Sequence, residues 1–266
     1  MAGGEIRLRI DLAYDGAPFA GFARQPDQTT VQGSLEGALS RLMGRGCQGM
    51  IELTCAGRTD RGVHAEAQTV HVDVPAGWAR LENLPTLTKT LDAMVGPPIT
   101  IYRIRRVPFS FDARFSATQR RYRYRLFQRV AMPPLWHHDT WHVGQSLDVQ
   151  RMDEAGQALL GTHDFTSFCR RRIVRLADGS TVDKTMVRRI DRLTVRRSRP
   201  AGLVLVRIDG AAFCHQMVRS ITGCLVEVGL GKQSVSYLAM VLAARDRSVA
   251  APVAPARGLS LVGVRY

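Results

Sequence analysis

Apolar and polar positions alternate from the start of the chain. Ile6, Leu8, Ile10 and Leu12 fall on one side, with Arg7, Arg9 and Asp11 on the other. That period of two predicts a half-buried strand, ended by Tyr14-Asp15-Gly16. Residues 17–30 read as loop. The spacing then changes to Val31, Leu35, Leu39 and Leu42, the stripe of an amphipathic helix running to about Arg45. An apolar run over 50–57 predicts a second strand, and alternation over 67–74 a third. Residues 75–85 read as loop, 86–94 as a helix and 99–107 as a strand stopped by Pro108. Strand, helix, strand, strand, helix, strand is the ferredoxin-like βαββαβ order.

The second half repeats an α+β rhythm less clearly. Residues 120–129 predict a strand with Tyr122, Tyr124 and Leu126 on one face and Arg121, Arg123 and Arg125 on the other. An aromatic face backed by arginines suits RNA contact, although Tyr124 reads better as core. A helix is expected at 148–160, strands at 185–197 and 203–210, helices at 214–228 and 234–244, and a last strand at 259–265. Residues 170–184, with Arg170-Arg171-Arg172 and Lys184, read as an exposed basic insertion. The expected fold is α+β, with ferredoxin-like halves at 1–112 and 113–266.

The second expected strand runs into Cys55-Ala56-Gly57-Arg58-Thr59-Asp60-Arg61-Gly62-Val63-His64. This loop holds one carboxylate, Asp60, among Arg58, Arg61 and His64. A carboxylate between two arginines stays ionised, the state a nucleophile or base requires. Spacing alone fits a surface Asx turn equally well.

Charge changes the picture more than composition does. Hydrophobic residues make 45% and charged residues 23% of the 266, ordinary for a globular protein. The net charge of +14 argues for a polyanionic partner, nucleic acid before membrane. Apart from Lys89, Lys184 and Lys232, the 37 cations are arginines. No apolar run has the length of a membrane span, and no signal peptide is expected at the N-terminus. Five cysteines without a C-x-x-C pair suit a reduced cytoplasm.

The loop C-A-G-R-T-D-x-G-V-H resembles the catalytic loop of the TruA family of tRNA pseudouridine synthases. Further blocks match in family order. They are Tyr14-Asp15-Gly16 with Arg24-Gln25; Ala113 to Thr118 with Arg121 to Tyr124; Gly161 to Phe168; Lys184-Thr185 with Val187-Arg188; and Ala212 to Ile221. The family often has a Trp where Phe22 or Ala23 stands, and its Leu-Pro-x-Asp-Ile segment is replaced by Leu91 to Ile99. The resemblance implies Asp60 as nucleophile, Tyr122 against the target base and Arg219 paired with the Asp60 carboxylate. Arg58, His64, Arg24 and Arg114 are its expected substrate contacts. It further implies sheets joined around a central catalytic cleft, a homodimer, and uridines of the tRNA anticodon stem and loop as substrate. The isomerisation uses no redox step or external group, so no cofactor and no metal are expected.

Other readings compete. His64-Ala65-Glu66 fits half of a zinc deaminase signature, but no P-C-x-x-C follows. His137, His138, Asp139 and His142 match no standard zinc spacing. Cys55 near Arg58 could be a thiolate, yet its strand position favours a small buried hydrophobe. A non-catalytic RNA-binding sheet would carry interleaved aromatics, and aromatic content is only 7%.

Overall fold

A computed structural model describes residues 4–44, 51–170, 173–175, 181–183 and 185–266. The elements run β1 (Glu5–Tyr14), α1 (Val31–Met43), β2 (Thr54–Cys55), β3 (His64–Pro75), α2 (Leu84–Val95), β4 (Ile99–Val107) and β5 (Gln119–Phe127). They continue with β6 (Trp141–His142), α3 (Val149–Gln157), β7 (Gly161–Asp164), β8 (Ile173–Arg175), β9 (Thr181–Asp183), β10 (Val187–Ser198) and β11 (Leu203–Gly210). Last come α4 (Met217–Gly229), α5 (Tyr237–Ala244) and β12 (Leu259–Arg265). The fold is thus mixed α and β. The chain divides into two compact units, Met1–Arg120 with Ser260–Tyr266, and Arg121–Leu259.

In the first unit the strands lie in the order β4-β1-β3-β12, with β2 also on β3. β1 runs antiparallel to both its neighbours. Leu8, Ile10 and Leu12 are fully buried, as their alternation requires. Burial of each such side chain stabilises by about 1.5–3 kcal/mol. Helix α1 is capped by Thr30, whose hydroxyl accepts from Gly33 N at 3.2 Å. Asn83 caps α2 in the same way, and Leu87 and Leu91 of α2 are buried where it packs on β4. On the polar face of β1, Arg7 makes a bidentate pair with Asp73, both bonds 2.7 Å. These two residues are register partners, so the pair pins β1 to β3.

The expected strand at 50–57 is corrected to Thr54–Cys55. Residue 50 lies outside the described residues. Side chains of α1 take the backbone groups a ladder would have used. Leu53 N donates to Glu36 Oε1 at 3.0 Å and Leu53 O accepts from Gln32 Nε2 at 3.2 Å. Ile51 and Leu53 are still buried, which explains the apolar run.

In the second unit the order is β5-β11-β10-β7, with β6 parallel to β5. β10 and β11 pair antiparallel from Ile190↔Gly210 to Ser198↔Leu203. α4 is buried over most of its length, and α3 packs on β10 and α4. Tyr124 is core, as expected. Its ring is fully buried and its hydroxyl donates to Pro255 O at 2.6 Å. Within the basic insertion, Ile173–Arg175 and Thr181–Asp183 pair as a hairpin, while Arg171, Arg172 and Lys184 lie outside the described residues.

Candidate active site

The Asp60 loop is fastened on every side within the first unit. At its entry Ala56 N donates to Thr69 O at 2.8 Å. Gln68, fully buried on β3, donates to Gly57 O at 2.7 Å. The Tyr14 hydroxyl at the end of β1 shares a 2.8 Å hydrogen bond with Thr59 Oγ1. Phe22 N donates to Thr59 O at 3.0 Å, and Val63 N to Asp60 O at 3.1 Å. A loop with this many anchors holds a carboxylate in one place, as catalysis by orientation demands.

Two glycines allow the close approach. Gly21 has φ +117°, and a Cβ there would sit 3.1 Å from Thr59 O. A Cβ on Gly16 would run into the Val63 carbonyl. Gly16 N instead donates to His64 Nδ1 at 3.1 Å, with the Asp15 carboxylate 3.0 Å from the same nitrogen.

Below the loop lies Arg120, only 8% exposed. Its Nε and Nη2 donate to Ala56 O at 3.0 and 2.8 Å. Its Nη1 donates to Ala117 O at 3.1 Å, and Nη2 also donates to Arg114 O. Parity along β5 puts Arg120 on the buried face with Tyr122 and Tyr124, opposite Arg121, Arg123 and Arg125.

Asp60 itself is half-buried, while Arg58 and Arg61 are exposed beside it. Arg61 donates to Gln28 Oε1 at 2.9 Å. Both border an open pocket of about 260 Å³ with Pro18 and Phe19. Cys55 is buried and its thiol is pushed up to about 11 by burial, against the weaker pull of Arg58. It is a small core residue, not a thiolate.

A model of the family described as tRNA pseudouridine synthase matches residues 12–116 and 155–266. The chain belongs to the tRNA pseudouridine synthase family. Proteins named tRNA pseudouridine synthase A from three bacteria show the same relation over full length. The Frankia casuarinae protein is 44% identical, with 100% of this chain and 91% of that protein covered. The Cutibacterium acnes protein is 41% identical over 98% and 88% of the two chains. The Caulobacter sp. protein is 40% identical over 98% of each.

The remaining synthase candidates are distributed as follows. His64 is buried at the base of the Asp60 loop. Arg24 is 65% exposed, with Nη1 3.5 Å from the buried Glu36 carboxylate. Arg114 is exposed, its guanidinium 5.1 Å from the Phe115 ring centroid. In the second unit Tyr122 is buried with its ring edge-on to Phe213, centroids 5.1 Å apart. Arg219 is half-buried, and its Nε donates to Ala254 O at 2.8 Å.

Sequence reasoning missed Arg120, Gln68, Tyr14 and Phe213. A polar residue on the apolar side of a strand's alternation was the available signal for Gln68 and Arg120. Among the described residues no three His, Cys, Asp or Glu side chains gather as a metal site would require. Asp139 lies 3.0 Å from Arg125, and His142 Nε2 lies 2.8 Å from Arg129 O.

Proposed function

We propose that Asp60 is the nucleophile with which this synthase isomerises uridine to pseudouridine in the anticodon stem and loop of tRNA. The observation that supports it most is the anchoring of the Asp60 loop, which leaves its one carboxylate half-exposed between Arg58 and Arg61. The reaction breaks the bond between uracil N1 and ribose C1′, turns the base and joins C5 to C1′. N1 gains a proton and C5 loses one, so atoms balance without oxidant or cofactor. The carboxylate attacks C1′ or assists removal of the C2′ proton.

The base must leave the stack first. Tyr122 would hold the freed uracil, its hydroxyl relaying a proton. Arg219 would keep the Asp60 carboxylate charged and oriented. Arg58 would hold the backbone of the flipped nucleotide, with His64, Arg24 and Arg114 as further RNA contacts. The wider reading includes two related ferredoxin-like halves, a homodimer and a cytoplasmic setting. No helix among the described residues is long and apolar enough to cross a membrane.

The test is tritium release from tRNA labelled at uracil C5, because isomerisation expels that hydrogen. Wild type should release tritium. Asp60→Asn should fold, bind tRNA and release none. Turnover close to wild type in that variant would overturn the assignment. Free uracil as the main product would replace a synthase with a glycosidase.

A further inference from the structure

We propose that Phe115, backed by Arg114, is a stacking platform for a base of the tRNA next to the target uridine. The inference rests on the synthase reading above and deepens it. Phe115 is 79% exposed, among the most exposed large apolar side chains described. Arg114 holds its guanidinium 5.1 Å from the ring centroid, so the ring carries a cation on one side and stays open to a base elsewhere.

The ring is exposed, but its backbone is held firmly. Asp112 Oδ1 accepts from Arg114 N at 2.7 Å and from Phe115 N at 2.8 Å. Ala113 N donates to His71 Nδ1 at 2.9 Å, and Ala113 O accepts from the Tyr266 hydroxyl at 3.0 Å. Asp112 N donates to Ser116 Oγ at 2.9 Å. An aromatic presented on such a support loses little freedom when a ligand binds.

The support is shared with the catalytic loop. One nitrogen, Arg120 Nη2, donates both to Arg114 O and to Ala56 O, four residues before Asp60. The platform and the nucleophile are thus built on one bracket within one unit. Removing a uridine from its stack leaves a neighbouring base without a partner. An exposed aromatic with an arginine on it supplies that partner without reading sequence. The net charge of +14 favours a polyanion in this place over an apolar peptide.

The experiment measures affinity for an anticodon stem-loop carrying 2-aminopurine beside the target uridine, using wild type, Phe115→Ala and Phe115→Trp. Phe115→Ala should raise Kd about 5- to 150-fold, the loss of one stacked base. The slope of log affinity against log salt should not change, because no phosphate contact is removed. Phe115→Trp should bind within about threefold of wild type and quench the 2-aminopurine. Affinity of Phe115→Ala within about twofold of wild type would overturn the platform. If the same variant also shifted from dimer to monomer in sedimentation, the ring would belong to contact with a second copy. Wild-type tritium release is measured in parallel. Its absence would defeat the synthase reading, while the Kd values judge the platform separately.

Discussion

Replacing Arg120 by methionine removes the bracket while filling most of its stem volume. Three carbonyls, Ala56 O, Ala117 O and Arg114 O, lose a charged donor. Ala56 O loses two, at 3.0 and 2.8 Å. A hydrogen bond to a charged group contributes about 1.5–3 kcal/mol, and a carbonyl left buried and unpaired costs about 1–3 kcal/mol. Against this, methionine avoids the cost of burying a guanidinium. The balance is a loss of about 2–5 kcal/mol. At about 2–4 °C per kcal/mol that lowers Tm by about 4–20 °C. The chemical effect is separable. A shift of about 1 Å in the Asp60 loop would cost about 100-fold in rate. Single-turnover tritium release at saturating enzyme, measured well below the lowered Tm, should fall by that order, and tRNA affinity should weaken as well, because the Arg114 carbonyl beside Phe115 loses the same donor. Calorimetry gives Tm and a filter assay gives affinity. A variant with unchanged Tm and unchanged rate would refute the reasoning. A lowered Tm with a normal rate would make Arg120 a fold residue only.

Further outcomes are expected elsewhere. Gly21→Ala should lose about 1–3 kcal/mol in denaturant unfolding, because its φ of +117° is strained for alanine and the new Cβ meets Thr59 O. His71 has its pKa lowered, first by burial and then by Arg7, so the fold prefers it neutral. The unfolded chain therefore binds a proton that the folded one refuses below the ordinary value of 6.5, and stability should fall as pH drops from there towards the folded value. His71→Asn keeps an acceptor for Ala113 N and should flatten that part of a Tm-against-pH curve. Tyr124→Phe leaves Pro255 O without its 2.6 Å donor and should cost about 1–3 kcal/mol in the same unfolding assay.

Much of the molecule is local and was legible. The alternation of Leu8, Ile10 and Leu12 predicts β1 because side chains of a strand repeat every two residues, whatever lies beside it. The Val31, Leu35 and Leu39 stripe predicts α1 for the same kind of reason. The loop around Asp60 stood out by composition, one carboxylate among cations, and by its ten-residue resemblance to a family. What the chain alone left open were the identities of distant partners. Residues 50–57 have the apolar pattern of a strand, but Glu36 and Gln32 of a helix claim the Leu53 backbone, and only contact in three dimensions decides that competition. Arg120 and Arg121 are adjacent and identical in type. One is buried under the Asp60 loop and the other half-exposed, because the strand's parity matters only once the Ala56 and Arg114 carbonyls are brought to it. Whether Phe115 packs inside or faces solvent is decided by the turn around Asp112, which leaves it exposed. Periodicity is written in neighbours two to four residues apart. The satisfaction of buried polar groups is settled across 64 residues, the separation of Arg120 from Ala56, and so belongs to the tertiary structure.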